Sequence, residues 1–118
     1  MIRIIPKPTD RPDDNSTQMV KDALDRMDAE YEILSLHNLD PFRISYHDDL
    51  IWVCGIRQDG IEFEVIKALS LKNRLVNTPE AIATCASKVM TSALLIHHGI
   101  PTPETLFTGL QSDVDAFL

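Results

Sequence analysis

The longest apolar run in the chain, Leu50-Ile51-Trp52-Val53-Cys54-Gly55-Ile56, constrains the fold more than any other feature. Asp48 and Asp49 precede it, and the run is too short for a helix of ordinary length. A continuous apolar run between turn signals is typical of a strand that is buried on both faces, as in parallel sheets. The sequence therefore predicts a central buried strand over residues 49–56.

The rest of the chain alternates between short β-rich runs and helical patterns. The segment 61–72 fits both an alternating and a helical pattern, and its acidic start and basic end favour a helix. Asn15 and Thr78-Pro79 are typical helix starts, and Gly99 is a typical helix end. The sequence predicts further strands over residues 2–5, 31–36, 74–76 and 104–108, helices over residues 15–29, 61–72 and 79–99, and a last helix from Asp113 capped by Ser112.

This order of elements predicts an α/β fold, with a small three-layer, mainly parallel sheet and helices on both faces. Sheets of this kind bind ligands beyond the carboxyl ends of their strands. We therefore expect any site to draw on the loops at residues 7–14, 38–47, 55–60 and 77–79. A GxGxxG turn and a phosphate-binding GK[ST] loop are both missing from the sequence, so dinucleotide and P-loop sites are not expected.

Charge and hydropathy exclude two classes of partner. The 118 residues carry 11 basic and 18 acidic side chains, for a net charge of -7, which is the wrong sign for a nucleic-acid-binding protein. Apolar stretches stay shorter than the roughly 18 residues needed to cross a bilayer. We therefore expect a cytoplasmic protein with neither a nucleic acid nor a membrane as partner.

Cysteine and histidine placement predicts no metal site. Cys54 and Cys85 lie far apart in the sequence, each among apolar or small residues, and are expected to be reduced and buried. His97 and His98 are adjacent on a predicted helix, so their side chains are expected to point in different directions.

Several motifs in the second half of the chain occur in one fixed order. They are Val76-Asn77-Thr78-Pro79-Glu80-Ala81-Ile82, then Lys88 with Thr91 and Ser92, then Leu94-Leu95, then Gly99-Ile100-Pro101-Thr102-Pro103-Glu104-Thr105. In this order and spacing the chain resembles the ATP-grasp carboxylate-amine ligases, and within them the glutamate-ligase-like branch that acts on ribosomal protein or tetrahydromethanopterin. The resemblance covers residues 75–108 well and residues 51–60 more weakly.

The resemblance implies a division of the chain at residue 76. Residues 1–76 would form an amino-terminal, substrate-side domain of the pre-ATP-grasp type, and residues 77–118 would be a connecting helix and the truncated beginning of the ATP-grasp domain. Such enzymes phosphorylate a carboxylate with ATP, and an amine then attacks the acyl phosphate. The magnesium ligands and most ATP contacts belong to later segments, so this chain alone would hold no catalytic residue and would not be active. Its parent would join a small-molecule or protein carboxylate to an amino acid with ATP and Mg.

Two residues carry site assignments by this resemblance. Lys88 matches the family's first nucleotide-contacting lysine, where a cation can neutralise phosphate charge. The family commonly has Asp before this lysine, where this chain has Ser87. Arg57 follows the central strand where relatives often place a substrate-binding arginine, and a guanidinium suits a carboxylate. An exposed helix lysine and a solvated loop arginine are the alternative interpretations.

Two other functions remain open from the sequence. A relative that has lost the nucleotide clamp would be a stand-alone module that binds a small acid or a protein. A purely structural acidic domain would form dimers through one face of its sheet or helices, and a homo-oligomer is also compatible with the ligase hypothesis.

Overall fold

The computed structural model describes residues 1–8, 10–11, 13 and 15–118 and is α/β, as expected. Thr9, Pro12 and Asp14, which belong to the predicted loop at residues 7–14, lie outside the described residues. The chain divides into two compact units, Met1–Ile82 and Ala83–Leu118. The domain division at residues 76 and 77 stays a prediction.

In the described part of the first unit, four strands form one parallel sheet in the order β2-β1-β3-β4. The strands are β1 (Ile2–Ile5), β2 (Tyr31–Ile33), β3 (Leu50–Val53) and β4 (Arg74–Val76). The parallel pairing confirms the prediction from the buried apolar run. Strands β2 and β3 are shorter than expected, because the chain leaves the sheet after Ile33 and after Val53.

Consecutive residues of β1 are buried on opposite faces of the sheet. Ile4 and Ile5 have almost no exposed surface, and in a strand such neighbours point to opposite sides. Ile5 pairs with Val53, and Ile51 pairs with Leu75, so apolar side chains continue across three strands. Both sides of the central strand β1 are therefore shielded from water at this point.

Helix α1 (Ser16–Arg26) begins where the sequence predicts. The Asn15 side chain accepts a hydrogen bond from the backbone N–H of Gln18 at 2.9 Å. The Asp10 carboxylate accepts two more, from the N–H groups of Ser16 and Thr17 at 3.2 and 3.1 Å. These bonds satisfy amides that a helix start leaves without partners.

Helix α2 (Ile61–Ser70) confirms the helical interpretation of the ambiguous segment. Phe63, Ile66 and Leu69 recur at helical spacing and are buried. Ile66 and Leu69 belong to one core cluster with Ile5, Leu34, Ile51, Val53 and Leu75. This cluster anchors α2 on the sheet.

The predicted long helix at residues 79–99 is wrong in one respect, because the chain forms two helices there, α3 (Pro79–Ala86) and α4 (Lys88–His97). Ser87 between them has extended backbone angles, φ -91° and ψ 109°, which a continuous helix does not allow. The predicted helix end holds, because Gly99 has a positive φ of 65°, a conformation that glycine adopts without a steric cost.

Two further predictions for the second unit are wrong. Residues 104–108 do not form a strand, since no strand of the described chain pairs with them. Helix α5 (Gln111–Phe117) starts before Asp113, and its N-cap is Leu110 rather than Ser112. The Asp113 carboxylate instead accepts a hydrogen bond from the Thr108 hydroxyl at 2.6 Å.

Candidate functional site

A pocket of about 220 Å³ lies at the carboxyl edge of the sheet. Three neighbouring strands end beside it, β1 at Ile5, β2 at Ile33 and β3 just before Gly55. Strand order reverses direction between β1 and β3, and ligands of open parallel sheets bind at such a reversal. The pocket is lined by Ile5, Pro6, Pro8, Ile33, Leu34, Ser35, Leu36, His37, Gly55, Ile56 and Glu62.

Most of the pocket wall is apolar, and the one carboxylate among its described lining residues comes from Glu62. Glu62 lies in the first turn of α2 and is half-buried. An added Cβ at Gly60 would come within 2.6 Å of the Glu62 Oε2 atom, so the absence of a side chain at this position leaves room for the carboxylate. A half-buried carboxylate among apolar groups favours a cationic ligand.

Two of the four predicted loops line this pocket. Pro8 belongs to the loop at residues 7–14, and Gly55 and Ile56 belong to the loop at residues 55–60. The loops at residues 38–47 and 77–79 do not contribute. Residues 34–37 also line the pocket, which the sequence does not predict. The sequence predicts that β2 continues to residue 36, whereas in the structure the chain turns at Leu36–Asn38.

Arg57 lies on the surface and forms an ion pair with Asp59. Its Nε and Nη2 atoms donate hydrogen bonds to the two Asp59 carboxylate oxygens at 3.1 and 2.8 Å. This pairing lowers the pKa of Asp59 and raises the pKa of Arg57. Arg57 lines a shallow surface recess with Gln58 and Asp59 and does not line the sheet-edge pocket. Its role toward a substrate carboxylate stays a prediction.

In the second unit, Lys88 is the first residue of α4 and borders an apolar recess of about 340 Å³. The segment around Phe107 closes the recess from the other side, and the Phe107 side chain is 84% exposed. The recess is lined by Lys88, Val89, Ser92, Ala93, Ile96, Thr105, Leu106 and Phe107. The recess thus combines one ammonium group with an apolar surface that includes an aromatic ring.

The start of α4 is electrostatically positive. The Ser87 hydroxyl accepts a hydrogen bond from the Met90 N–H at 3.1 Å, and the first turn contains no acidic residue. A helix amino terminus carries a partial positive charge and favours anions, so the Lys88 ammonium group is on the unfavourable end of the dipole. Salt bridges among the described residues do not include Lys88. An anion bound at this terminus would offset both the partial positive charge of the helix end and the charge of the Lys88 ammonium group.

The apolar side chains of α4 do not form a buried core. Met90 and Leu94 are exposed, and within the described chain no residue of α4 is buried. Val89, Ile96 and Ile100 are exposed as well. The second unit therefore presents an apolar surface to solvent.

The cysteines differ from each other in exposure. Both thiols are free, but only Cys54 is partly buried, and Cys85 is exposed on α3. The expectation of two buried cysteines is therefore wrong for Cys85. Burial raises the pKa of the Cys54 thiol.

Metal ligands do not cluster in the described part of the chain, where no group of three His, Cys, Asp or Glu side chains could hold an ion. The His97 and His98 rings contact each other edge to face at 5.1 Å, so they do not simply diverge as expected. Among the described helices, none is long and apolar enough to cross a membrane.

No protein-family model and no curated protein sequence matches the chain.

Proposed function

We propose that this chain is the amino-terminal part of an ATP-dependent carboxylate-amine ligase, with the substrate-side domain first and the beginning of the nucleotide clamp after it. Lys88 would contact the phosphates of ATP, and Arg57 would contact the substrate carboxylate. Bound ATP would supply the phosphoryl group that activates this carboxylate. The chain itself would bind and orient, without catalysing the reaction.

The observation that carries this proposal is the setting of Lys88. An ammonium group, a helix amino terminus and an apolar recess with an exposed aromatic ring occur together there. A nucleotide presents phosphates to match the first two and a flat base to match the third. Ser87 also fits, because Ser and Asp are equally good N-caps, so Ser in place of the family's usual Asp keeps the helix start.

The exposed apolar surface of the second unit gives further support. Apolar patches of this kind in soluble proteins typically contact another protein surface. In the proposed ligase, that surface would belong to the rest of the clamp. We assign no magnesium ligand among the described residues, and the parent enzyme would supply the ion's carboxylates from other segments.

The finer architecture and location belong to the same proposal. We propose three layers, with helices on both faces of the sheet, because Ile4 and Ile5 are both buried although they face opposite sides. We also propose that the protein is cytoplasmic. Its net charge of -7 supports the further proposal that it does not bind nucleic acid.

One observation favours a second candidate, a stand-alone binding module. The sheet-edge pocket combines apolar walls with the Glu62 carboxylate, a combination that suits a small apolar ammonium compound better than an acid. Such a module would use the first unit alone and would not respond to ATP.

A ligand titration distinguishes the two candidates. The isotope-labelled chain is titrated with ATP, acetate and isobutylamine in turn, and backbone amide shifts are followed by NMR. The ligase proposal expects ATP to shift the amides of Lys88, Ser92 and Phe107. It expects Lys88→Gln to weaken these shifts at a given ATP concentration, while Lys72→Gln leaves them unchanged. Absence of ATP shifts, or shifts that Lys88→Gln leaves intact, would overturn it. Shifts at Ser35 and Ile56 with isobutylamine alone, lost in Glu62→Gln but kept in Glu64→Gln, would support the module.

A further inference from the structure

Helix α2 carries a second apolar stripe on the side opposite its buried one. We call Ile61, Val65, Ala68 and Leu71 the outer stripe; Val65, at its edge, is also partly buried against the core cluster. Ile61 and Leu71 are 70% and 84% exposed, whereas Phe63, Ile66 and Leu69 on the other side are buried. At 100° per residue, the two stripes lie on nearly opposite faces of the helix. A helix that is apolar on both faces is typical of one that is covered on both sides.

The outer stripe forms one wall of a groove of about 560 Å³. The opposite wall is the Pro41-Phe42 turn, and Phe42 is 77% exposed. The Lys72 ammonium group donates a hydrogen bond to the Phe42 carbonyl oxygen at 2.9 Å and so fixes this turn beside the end of α2. Several large apolar side chains thus line one exposed, ordered groove in the first unit.

Charge along the groove points to its occupant. The chain has a net charge of -7, but the charged residues that line the groove in the described part of the chain are one carboxylate, Glu64, and one ammonium group, Lys67. These two side chains are paired at 2.8 Å, so the groove is locally neutral on an acidic molecule. Two copies of the chain can approach each other here without the repulsion that acts elsewhere on the surface.

The order of these charges is also self-complementary. Glu64 and Lys67 lie on the same flank of the outer stripe, one turn apart. In two antiparallel helices related by a two-fold axis, equal flanks face each other. An axis near Val65 would therefore place Glu64 of each copy beside Lys67 of the other. The small side chain of Ala68 near the axis allows the two helices to pack closely.

We propose that the chain forms a two-fold homodimer in which the outer stripe of α2 packs antiparallel against the same stripe of a second copy. The interface would bury Ile61, Leu71 and Phe42 of both copies and would join their Glu64–Lys67 pairs into one network of four charges. This proposal concerns the first unit and does not depend on nucleotide binding.

Sedimentation velocity of the full chain over a concentration series tests the proposal. We expect a concentration-dependent shift toward twice the monomer mass, and we expect Leu71→Asp to abolish it. Leu71 is exposed, so the variant should fold, which circular dichroism checks. A chain that stays monomeric at about millimolar concentration overturns the proposal. Association that Leu71→Asp leaves intact but Phe107→Asp abolishes also overturns it, because the second unit would then be the interface.

A charge exchange tests the two-fold geometry. Glu64→Lys and Lys67→Glu each place like charges together in the proposed dimer, so each alone should weaken association by about tenfold or more. An equimolar mixture of the two variants should restore it, because the lysine introduced in one variant would then face the glutamate introduced in the other. Glu104→Lys, which makes the same charge change outside the groove, should have little effect. Failure of the mixture to restore association overturns the antiparallel arrangement.

Discussion

The hydroxyl oxygen of Ser87 accepts a hydrogen bond from the backbone N–H of Met90 at 3.1 Å. This bond makes Ser87 the N-cap of α4 and places Lys88 at the first position of a helix rather than in the middle of one. The N–H groups that a helix start leaves free and the Lys88 ammonium group therefore lie together. The proposed phosphate contact depends on this placement.

Removing this cap should destabilise α4. We expect Ser87→Ala to cost about 1 kcal/mol, because the Met90 amide loses its partner, and Ser87→Asp to retain the stability. Hydrogen exchange of the α4 amides measures the difference. Ser112→Ala is the matched control, since Ser112 caps no helix, and an equal loss of protection in that variant would contradict the account.

The free energy of unfolding should depend strongly on Ile66 in the core and only weakly on the outer stripe of the same helix. Ile66 is fully buried, so Ile66→Ala should lower the free energy of unfolding by about 2–5 kcal/mol and Ile66→Val by about 1 kcal/mol. Urea unfolding followed by Trp52 fluorescence in dilute solution measures this change. Leu71→Ala, on the exposed side of the same helix, should change it by less than about 0.5 kcal/mol. Similar losses at both positions would mean that α2 packs differently.

Stability should fall in acid partly through Asp49. Hydrogen bonds from the amino-terminal ammonium group and from Arg3 hold the pKa of Asp49 below its ordinary value of 3.8. The unfolded chain then binds this proton more readily, so the contribution of Asp49 is present above that value and is lost as the pH falls further. Asp49→Asn should flatten the decline of the melting temperature between about pH 6 and pH 2. The exposed neighbour Asp48 serves as the control. If Asp48→Asn flattened the acid decline of the melting temperature equally, the role assigned to Asp49 would be contradicted.

The two thiols should react at different rates. Cys85 is exposed, whereas burial raises the pKa of Cys54 and reduces its thiolate fraction at neutral and mildly alkaline pH. Reaction with a disulfide reagent such as DTNB should show two phases, and Cys85→Ser should remove the fast one. Loss of the slow phase instead would contradict the burial of Cys54.

Much of the first unit could be predicted from the sequence because its signals are local. Examples are the apolar run at residues 50–53 and the helix caps at Asn15 and Thr78, each of which acts within a few residues. The break at Ser87 could not be predicted in this way, because apolar residues continue on both sides and Ser is tolerated inside helices. Residues 104–108 have β-forming side chains, but β structure needs a neighbouring strand, which local sequence does not supply.

The candidate sites are only partly predictable for the same reason. The family resemblance singles out Lys88, but its recess also needs Thr105, Leu106 and Phe107, which are distant in sequence. The sequence presents Arg57 as available for a carboxylate, yet Asp59 two residues later pairs with it. Glu62 carries no signal beyond a favourable charge at a helix start, and only the fold places it in the sheet-edge pocket.

The most direct test of the central claim compares the binding of adenosine, AMP and ATP. Each ligand is titrated into the unchanged chain and into its Lys88→Arg and Lys88→Gln variants. NMR titration of the Ser92 and Phe107 amides gives each affinity. We predict that affinity rises with phosphate charge, that Lys88→Gln weakens ATP binding by about tenfold or more while leaving adenosine unchanged, and that Lys88→Arg retains most of it. Equal affinities for adenosine and ATP, or no effect of Lys88→Gln, would contradict the account.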